Sequence, residues 1–472
     1  MPATPKTSSK KPATLGALKR SGYAPVPVRE ELRRNLIARM RSGEPLFPGV
    51  VGYEDTVIPQ IENALLAGQD IILLGERGQA KSRIIRSLVE LLDPEIPIVK
   101  GSEVNDDPLA PISRYAIDLI AAEGDDTPVE WVGREHRYGE KLATPDISIA
   151  DLIGDVDPIR IAEGRYLSDE LAIHYGLIPR SNRGIFCINE LPDLAERIQV
   201  GLFNLMEERD VQIKGYRVRL PLDIFVMASA NPEDYTNRGR IITPLKDRYG
   251  AQIRTHYPKQ VAHEVAIMEA ERTRFPDTDA MLQVPNYMAE LVAEFTAIAR
   301  RHQEINQRSG VSVRVSIANY ETVLANAVRR AILFNEEQAV PRPTDLGYII
   351  ASTLGKVELE TMEEGREGKV LDEIAKRAAL AVFERLLGKV DLDPVVEAFE
   401  SGEAVEVGAE APSALYVQAL GRVNGMSAAL KALGAAGSPA AQASGMELVL
   451  EGLHLTRRLN RDRVEAGYRY HA

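Results

Sequence analysis

The stretch Ile71-Ile72-Leu73-Leu74-Gly75-Glu76-Arg77-Gly78-Gln79-Ala80-Lys81-Ser82 decides the fold of this chain. Four apolar residues, typical of a buried strand, run into a glycine-containing turn, and residues 83–92 after it have helical spacing. Strand, loop and helix in this order are the setting of a phosphate-binding loop, whose backbone N–H groups bind phosphate oxygens. Lys81 would reach the β- and γ-phosphates, and the Ser82 hydroxyl would ligate Mg²⁺.

Ala80 departs from the strict phosphate-loop pattern, which has a second glycine at this position. We expect alanine to fit if its φ is negative, because only a positive φ favours glycine. The alternative is an ordinary strand, turn and helix with a chance Lys-Ser.

The composition is that of a globular protein. The 472 residues are 44% hydrophobic and 27% charged, which leaves room for two or three domains. No apolar run reaches the roughly 18 residues that a membrane span needs. The net charge of −12 argues against a broad basic surface for nucleic acid. The single cysteine, Cys187, excludes an internal disulfide and favours a cytoplasmic location. We expect Cys187 to be a small buried strand residue and not a nucleophile.

The chain is predicted to have four segments. Residues 1–28 are rich in lysine without any acid and predict a disordered basic tail. Residues 29–257 begin with a charged helix and alternate apolar strands with helices, which predicts an α/β domain with a parallel sheet. The strand candidates are residues 71–74, 97–99, 184–188, 224–229 and 251–254. Residues 258–340 have helical periodicity and predict a lid domain, and residues 341–472 predict further helices, the last near 445–468.

Polar residues follow two of the apolar strands. Asn189 and Glu190 end one strand, where a P-loop enzyme needs groups that order Mg²⁺ and activate the attacking water. Glu190 is the candidate base, and the neutral Asn189 stands where an aspartate is usual, so it could hold a Mg²⁺-bound water without adding charge. Asn231 ends the next strand and could contact the γ-phosphate or the water.

Two arginines complete the candidate site. Arg248 precedes the last strand and is a candidate arginine finger. Arg314 opens a helix of the lid segment, with Ser316 as the expected N-cap, and could fold over the nucleotide.

In this order, the loop, the Asn-Glu strand, the Asn strand and the two arginines resemble an AAA+ ATPase. Within that class the chain is similar to the magnesium-chelatase ATPase subunit and the MoxR ATPases. Five segments carry the narrower resemblance. Residues 47–52 resemble the segment beside the adenine, and the Asp-rich stretch 103–108 resembles the stretch after the second strand. Residues 142–154 resemble the start of a helix-2 insertion, residues 175–185 resemble the run into the Walker B strand, and the hairpin pattern 211–218 resembles a pre-sensor-1 hairpin.

The resemblance implies a P-loop core with a parallel sheet and helices on both faces, a helical lid and an added helical region. It implies ATP and Mg²⁺ as cofactors, and it places Glu190, Asn231 as sensor 1, Arg248 acting in trans and Arg314 as sensor 2 in the catalytic site. The implied metal-site residues are Ser82 and Asn189. The implied nucleotide-binding residues are Val51, Gly52, Gly75, Glu76, Arg77, Gly78, Gln79, Ala80, Lys81, Ser82 and Arg83.

A finger that acts in trans implies a homo-oligomeric ring, a hexamer, which drives metal insertion or remodels a partner. A von Willebrand A domain is absent from this sequence, so such a partner would be a separate chain. The alternatives are a nucleotide-gated scaffold with little hydrolysis, supported by Asn189, and a DNA-linked AAA+ protein of the helicase or sigma-54 activator type.

Overall fold

The computed structural model describes residues 11–156, 170–207, 210–212, 219–231, 240–306, 310–359, 366–465 and 467–472. The chain forms two compact units. The first unit runs to His256 without residues 77–79, and the second contains residues 77–79 and everything from Tyr257 onward.

The first unit alternates helices and strands. Its helices are α1 (Leu15–Arg20), α2 (Val28–Ser42), α3 (Val57–Leu66), α4 (Lys81–Ser87), α5 (Arg114–Glu123), α6 (Ile149–Leu152), α7 (Leu177–Arg180), α8 (Glu196–Glu207) and α9 (Thr243–Arg248). Its strands are β1 (Ile71–Leu74), β2 (Glu95–Val99), β3 (Val129–Gly133), β4 (Tyr138–Leu142), β5 (Gly154–Val156), β6 (Ile173–Tyr175), β7 (Gly184–Asn189), β8 (Asp210–Gln212), β9 (Arg219–Pro221), β10 (Ile224–Ala230) and β11 (Ala251–Arg254).

A five-stranded sheet organises this unit, in the order β11-β1-β10-β7-β4. All its neighbours pair in parallel, with Leu74 opposite Ala230 and Leu142 opposite Asn189. Parallel pairing brings the carboxyl ends of β1, β10 and β7 to one edge, the edge at which ligands bind in open α/β sheets. The predicted parallel sheet is therefore confirmed.

Alternate residues of the central strands fill two separate cores. Cys187 and Met227 lie in the core shared with α2, α3 and α4. Phe186 and Val226 point to the other face and pack with α8 and α9. Since both faces are covered, the strands are apolar throughout, as parallel sheets require. This explains why the sequence marked β1, β7 and β10 so clearly.

The second predicted strand lies outside the parallel sheet. Residues 97–99 do form a strand, β2, but it pairs antiparallel with β3. The edge position beside β7 belongs to β4, which contains Glu140 and Lys141 and so lacks an apolar run. An edge strand with one covered side tolerates such residues, and for this reason periodicity missed it.

The prediction of a disordered tail is wrong for residues 11–28. Thr14 caps α1, and Leu15 and Leu18 are buried. The backbone N–H of Val129 donates to the carbonyl of Ala13 at 2.9 Å, which ties the segment to β3. Two leucines in a polar stretch suffice to hold α1 in place because the surface of the rest of the protein covers them. The average composition of the segment does not reveal two such residues. Residues 1–10 lie outside the described residues.

Two antiparallel strand pairs lie next to the segments 142–154 and 211–218, for which the resemblance implies an insertion and a hairpin. β5 pairs with β6, and β8 pairs with β9. The turn at Lys214-Gly215 between β8 and β9 lies outside the described residues, as does the segment 157–169.

The second unit is mainly helical. Its helices are α10 (Val261–Glu271), α11 (Pro276–Asp279), α12 (Asn286–Ala299), α13 (Val313–Phe334), α14 (Ile350–Thr353), α15 (Arg366–Leu387), α16 (Asp393–Glu400), α17 (Ser413–Leu420), α18 (Met426–Ala432) and α19 (Pro439–Leu455). Strands β12 (Val405–Val407), β13 (Asn460–Val464) and β14 (Gly467–His471) form an antiparallel sheet in the order β12-β14-β13. One apolar core runs from Met268 to Tyr470.

The last predicted helix is shorter than expected. α19 ends at Leu455, and residues 460–471 form the hairpin of β13 and β14. Arg461 and Arg463 therefore lie on a strand and not on a helix face. The separate boundary between a lid and an extension near residue 340 stays a prediction, because the helices on both sides of it share one core. No described helix has the length and apolarity that crossing a membrane requires.

Candidate nucleotide-binding site

The predicted phosphate loop connects β1 to α4. Leu74 ends the strand, the N–H of Gly75 donates to the carbonyl of Ala230 at 3.0 Å, and α4 begins at Lys81. Gly78 has a φ of 76°, a conformation that glycine adopts without strain. The strand, loop and helix expected from the sequence are thus present.

Ala80 contradicts the expectation of a negative φ. Its φ and ψ are 57° and 13°, in the left-handed region, where it stands before the first residue of α4. A β-carbon in this region approaches the following carbonyl, so Ala80 carries strain that the glycine of the strict pattern avoids.

Lys81 lies at the centre of the loop and is 7% exposed. Its ammonium donates to the carbonyl of Gly75, to that of Glu76 at 2.8 Å and to Oδ1 of Asn231 at 2.7 Å. The structure therefore brings Asn231 to the predicted phosphate-binding lysine, as its position at the end of β10 implied. A phosphate oxygen could replace a loop carbonyl as acceptor with little movement of the buried cation.

Asn189 and Glu190 lie at the end of β7, two strands from β1. Asn189 is 8% exposed; its Nδ2 donates to the carboxylate of Glu140, and its Oδ1 accepts from Ser229 Oγ at 3.2 Å. Glu190 has a φ of 54°, and its N–H donates to Ser229 Oγ at 3.2 Å. Left-handed non-glycine residues of this kind cluster at functional sites.

Cys187 is fully buried in β7, and burial raises the pKa of its thiol. It is a packing residue, as expected, because a thiol that resists ionisation is not a nucleophile.

Arg248 ends α9 and makes contacts within its own chain. Its Nε donates to Oε2 of Glu207 at 3.2 Å, and its Nη1 donates to the carbonyl of Pro244 at 3.1 Å. The side chain is 27% exposed, so it is reachable from outside. Its role as a finger in trans stays a prediction.

Arg314 is exposed in the first turn of α13, in the second unit. The expected N-cap was wrong: Ser312 accepts the Arg314 N–H at 3.1 Å, and α13 begins at Val313. Ser316 instead lies inside the helix, where its hydroxyl donates to the carbonyl of Val313 at 2.8 Å. Three residues separate the two serines, about one helical turn, so spacing alone could not choose between them.

The remaining predicted nucleotide-binding residues lie in the segment before α3, in the loop itself and in the first turn of α4. Gly52 has a φ of 84° and follows the half-buried Val51, while Tyr53 anchors this segment by donating from its hydroxyl to the carbonyl of His256 at 2.7 Å. Ser82 and Arg83 are exposed in the first turn of α4, and Gln79 is buried. Residues 77–79 cluster with the second unit.

Sequence reasoning missed Glu140, Ser229 and Arg86, which surround Asn189. Arg86 Nε and Nη2 donate to the Glu140 carboxylate at 2.8 and 2.9 Å. Ser229 had a signal, since it is the polar residue in the apolar run of β10. Glu140 had none, because nothing in the sequence places β4 beside β7.

Two cavities lie away from the phosphate loop. One of about 140 Å³ in the second unit lies between Thr344, Leu371 and Glu447. Another, of about 440 Å³ in the first unit, is lined by Pro27, Arg183 and Asp223. Neither contains a predicted site residue. Within the described ranges, no three cysteine, histidine or acidic side chains are grouped so that they could hold a metal ion.

Comparison with known proteins finds relatives of this chain among the magnesium-chelatase subunits. The magnesium-chelatase subunit ChlI of Nostoc sp. is 26% identical over 261 residues, which are 54% of this chain and 64% of that protein. The magnesium-chelatase 38 kDa subunit of Rhodobacter capsulatus is 27% identical over 254 residues, 51% of this chain and 64% of that protein. The chain is related to these magnesium-chelatase subunits. This confirms the family relationship predicted from the motifs.

The relationship is partial in length. The chain matches less than two thirds of the Nostoc and Rhodobacter subunits, and no protein-family model matches it. A solved chain from the complex between subunits BchI and BchD of magnesium chelatase has a TM-score of 0.36 at 20% identity. That alignment covers 69% of this chain and 98% of the other.

Proposed function

We propose that this chain is an AAA+ ATPase that binds ATP with Mg²⁺ at the edge of the sheet formed by β1, β10 and β7. The observation that carries the proposal is the contact of Lys81 with Asn231 at 2.7 Å, next to the strand that ends in Asn189 and Glu190. The relationship to magnesium-chelatase subunits supports the same activity.

The donor set fits a magnesium nucleotide. The buried ammonium of Lys81 and the N–H groups of the loop would bind phosphate oxygens. Ser82 and the amide oxygen of Asn189 are neutral oxygen ligands of the kind that Mg²⁺ accepts, directly or through water, when phosphates supply the charge. Bound Mg²⁺ would neutralise charge on the phosphates. Glu190 would accept the proton of the attacking water, and Asn231 would orient that water.

We further propose a homo-oligomeric ring, a hexamer, with ATP between subunits and Arg248 reaching the neighbouring site. In this proposal hydrolysis moves the lid, and the ring drives metal insertion or remodels a partner with a von Willebrand A domain, in the cytoplasm. The resemblance to magnesium-chelatase and MoxR ATPases supports it, as does the partial exposure of Arg248.

The second candidate is a scaffold that binds ATP and hydrolyses it little. A neutral Asn189 in a fixed hydrogen-bond arrangement supports it, because the site then lacks the carboxylate expected beside Mg²⁺.

Three variants separate these functions. Lys81→Ala should abolish ATP binding, measured with a fluorescent ATP analogue. Lys431→Ala removes an exposed lysine of α18 and is the matched control. Glu190→Gln should keep ATP binding and lower turnover by about 10²- to 10⁴-fold, the usual contribution of a general base.

Each result decides something. Wild-type protein that binds the analogue no better than Lys81→Ala would overturn nucleotide binding at this loop. Wild-type protein that binds ATP but turns it over no faster than Glu190→Gln would establish the scaffold and exclude the ATPase.

A further inference from the structure

Asn189 belongs to a chain of hydrogen bonds that crosses three neighbouring strands. The Glu190 N–H donates to Ser229 Oγ at 3.2 Å, and the Ser229 hydroxyl donates to Asn189 Oδ1 at 3.2 Å. Nδ2 of Asn189 donates in turn to the carboxylate of Glu140 on β4. This relay connects the predicted base to a charged residue on the edge strand.

Both ends of the relay fix its direction. At one end, the backbone N–H of Glu190 can only donate. At the other end, both oxygens of Glu140 already accept hydrogen bonds, because Nε and Nη2 of Arg86 donate to them at 2.8 and 2.9 Å, so Glu140 faces Asn189 as an acceptor. The Tyr138 hydroxyl donates to the same carboxylate at 2.9 Å.

Position 189 must therefore both donate and accept. Asparagine does so in one orientation, with Nδ2 toward Glu140 and Oδ1 toward Ser229. An aspartate has no N–H to donate to Glu140, so its carboxylate oxygen would face a Glu140 oxygen that already accepts from Arg86, with no hydrogen between the two. Asparagine at position 189 is thus the residue that matches the hydrogen-bond acceptor Glu140 on β4.

We infer that Glu140 is a positioning residue of the nucleotide site. It holds the Asn189 amide oxygen toward Ser229, and through Ser229 it holds the backbone of Glu190 in its left-handed conformation. The inference rests on the proposed function for the role of Glu190, while the relay itself is a property of the protein without nucleotide. Asn189 is then the matched partner of Glu140, and this pairing accounts for its neutral side chain.

The test exchanges the two side chains. Asn189→Asp alone breaks the relay, since two carboxylates meet. Glu140→Gln with Asn189→Asp restores it, because the glutamine Nε2 donates to the aspartate and the other aspartate oxygen accepts from Ser229. Glu140→Gln alone is the control, because its amide oxygen still accepts from Asn189.

Two measurements test whether the relay exists and whether it affects catalysis. In denaturant titration without nucleotide, Asn189→Asp should lower the unfolding midpoint and the exchanged protein should recover most of the loss. In steady-state turnover, Asn189→Asp should lower kcat about tenfold or more with KM changed less than threefold, since misplacing a base weakens the chemical step more than binding. The exchanged protein should regain kcat.

The outcomes are distinct from those of the proposed function. If Asn189→Asp unfolds at the same denaturant concentration as the wild type, or if the exchange recovers nothing, the relay does not exist. If the unfolding midpoints follow the expected order but Asn189→Asp keeps the wild-type kcat, the relay stands and its connection to catalysis through Glu190 is overturned. If no protein, the wild type included, turns over ATP, the proposed ATPase fails while the relay stands.

Discussion

Ala80 and Glu190 share a backbone conformation that their side chains disfavour. Their φ values are 57° and 54°, and one ends the phosphate loop while the other follows the strand of Asn189. Such strain persists only where the surrounding fold imposes it, and it concentrates at functional sites. For Ala80, the strain has a simple remedy, because the strict pattern has glycine there.

Ala80→Gly should stabilise the protein. Glycine removes the left-handed strain, of about 1–2 kcal/mol, and returns part of that gain as greater freedom of the unfolded chain. We expect a net gain of about 0.5–1 kcal/mol in the free energy of unfolding, measured by urea titration.

The control is the same substitution at an ordinary helical position. Ala38 is exposed within α2, and Ala38→Gly should lower stability by about 0.5–1 kcal/mol. If Ala80→Gly also lowers stability, the left-handed conformation at Ala80 is wrong.

At the scale of elements, α19 carries a buried acid in the core of the second unit. Glu447 is 1% exposed, and its Oε2 accepts from the N–H and hydroxyl of Thr344 at 3.0 and 2.7 Å. Burial raises the pKa of Glu447 above its ordinary value of 4.5, although the nearby Arg342 guanidinium opposes this rise. The folded protein therefore keeps the Glu447 proton to a higher pH than the unfolded chain does.

This shift fixes the sign of a pH effect. A raised folded pKa favours folding below the unfolded value, near 4.5, and this contribution is lost as the pH rises through the folded pKa. Glu447→Gln does not ionise, so its thermal midpoint should gain on that of the wild type as the pH rises from 4.5. Circular dichroism melts across this window test it, with the exposed Glu406→Gln as control. A difference independent of pH, or one that shrinks with rising pH, would contradict the raised pKa.

The sequence best predicted strands that are buried on both faces and helices with a regular apolar periodicity. β1, β7 and β10 are covered on both faces and appear as apolar runs, and α13 appears through its periodicity. β4 and α1 were missed because each depends on a neighbour. β4 carries Glu140 in an edge strand, and α1 uses two leucines against a surface that distant residues supply.

In the candidate site, too, the sequence predicted the residues that belong to local motifs and missed those that depend on distant neighbours. Local motifs identified Lys81, Glu190 and Asn231, and the structure places Asn231 on Lys81. The partners of Asn189 were not predictable, because Glu140 is 49 residues distant and only strand order makes it a neighbour. The meaning of the Asn189 substitution therefore depends on topology and not on the motif.

For the whole molecule, the proposal requires that neighbouring copies complete each other's sites. Arg248 now pairs with Glu207 in its own chain, and Glu207 is itself exposed. A surface ion pair of this kind contributes little, about 0–1 kcal/mol, so an incoming phosphate can replace the carboxylate. In this proposal the ion pair with Glu207 orders the Arg248 side chain while no neighbouring nucleotide is bound.

Mixing two inactive variants tests this arrangement. Arg248→Ala keeps Glu190 and lacks the finger, while Glu190→Gln keeps the finger and lacks the base. In a mixed ring, a site with an intact base can face a subunit with an intact Arg248, so such interfaces should hydrolyse ATP. We expect each variant alone to be nearly inactive and an equal mixture to regain up to about a quarter of the wild-type rate, a statistical estimate for random assembly with one finger acting on each site.

The control mixture pairs Arg248→Ala with Arg248→Ala/Glu190→Gln, in which no subunit supplies a finger. It should remain inactive. If the two single variants also fail to complement while both still form oligomers with ATP, then Arg248 acts within its own subunit, and the ring is not needed for catalysis. Recovery in the test mixture alone requires that the base of one chain works with the arginine of another.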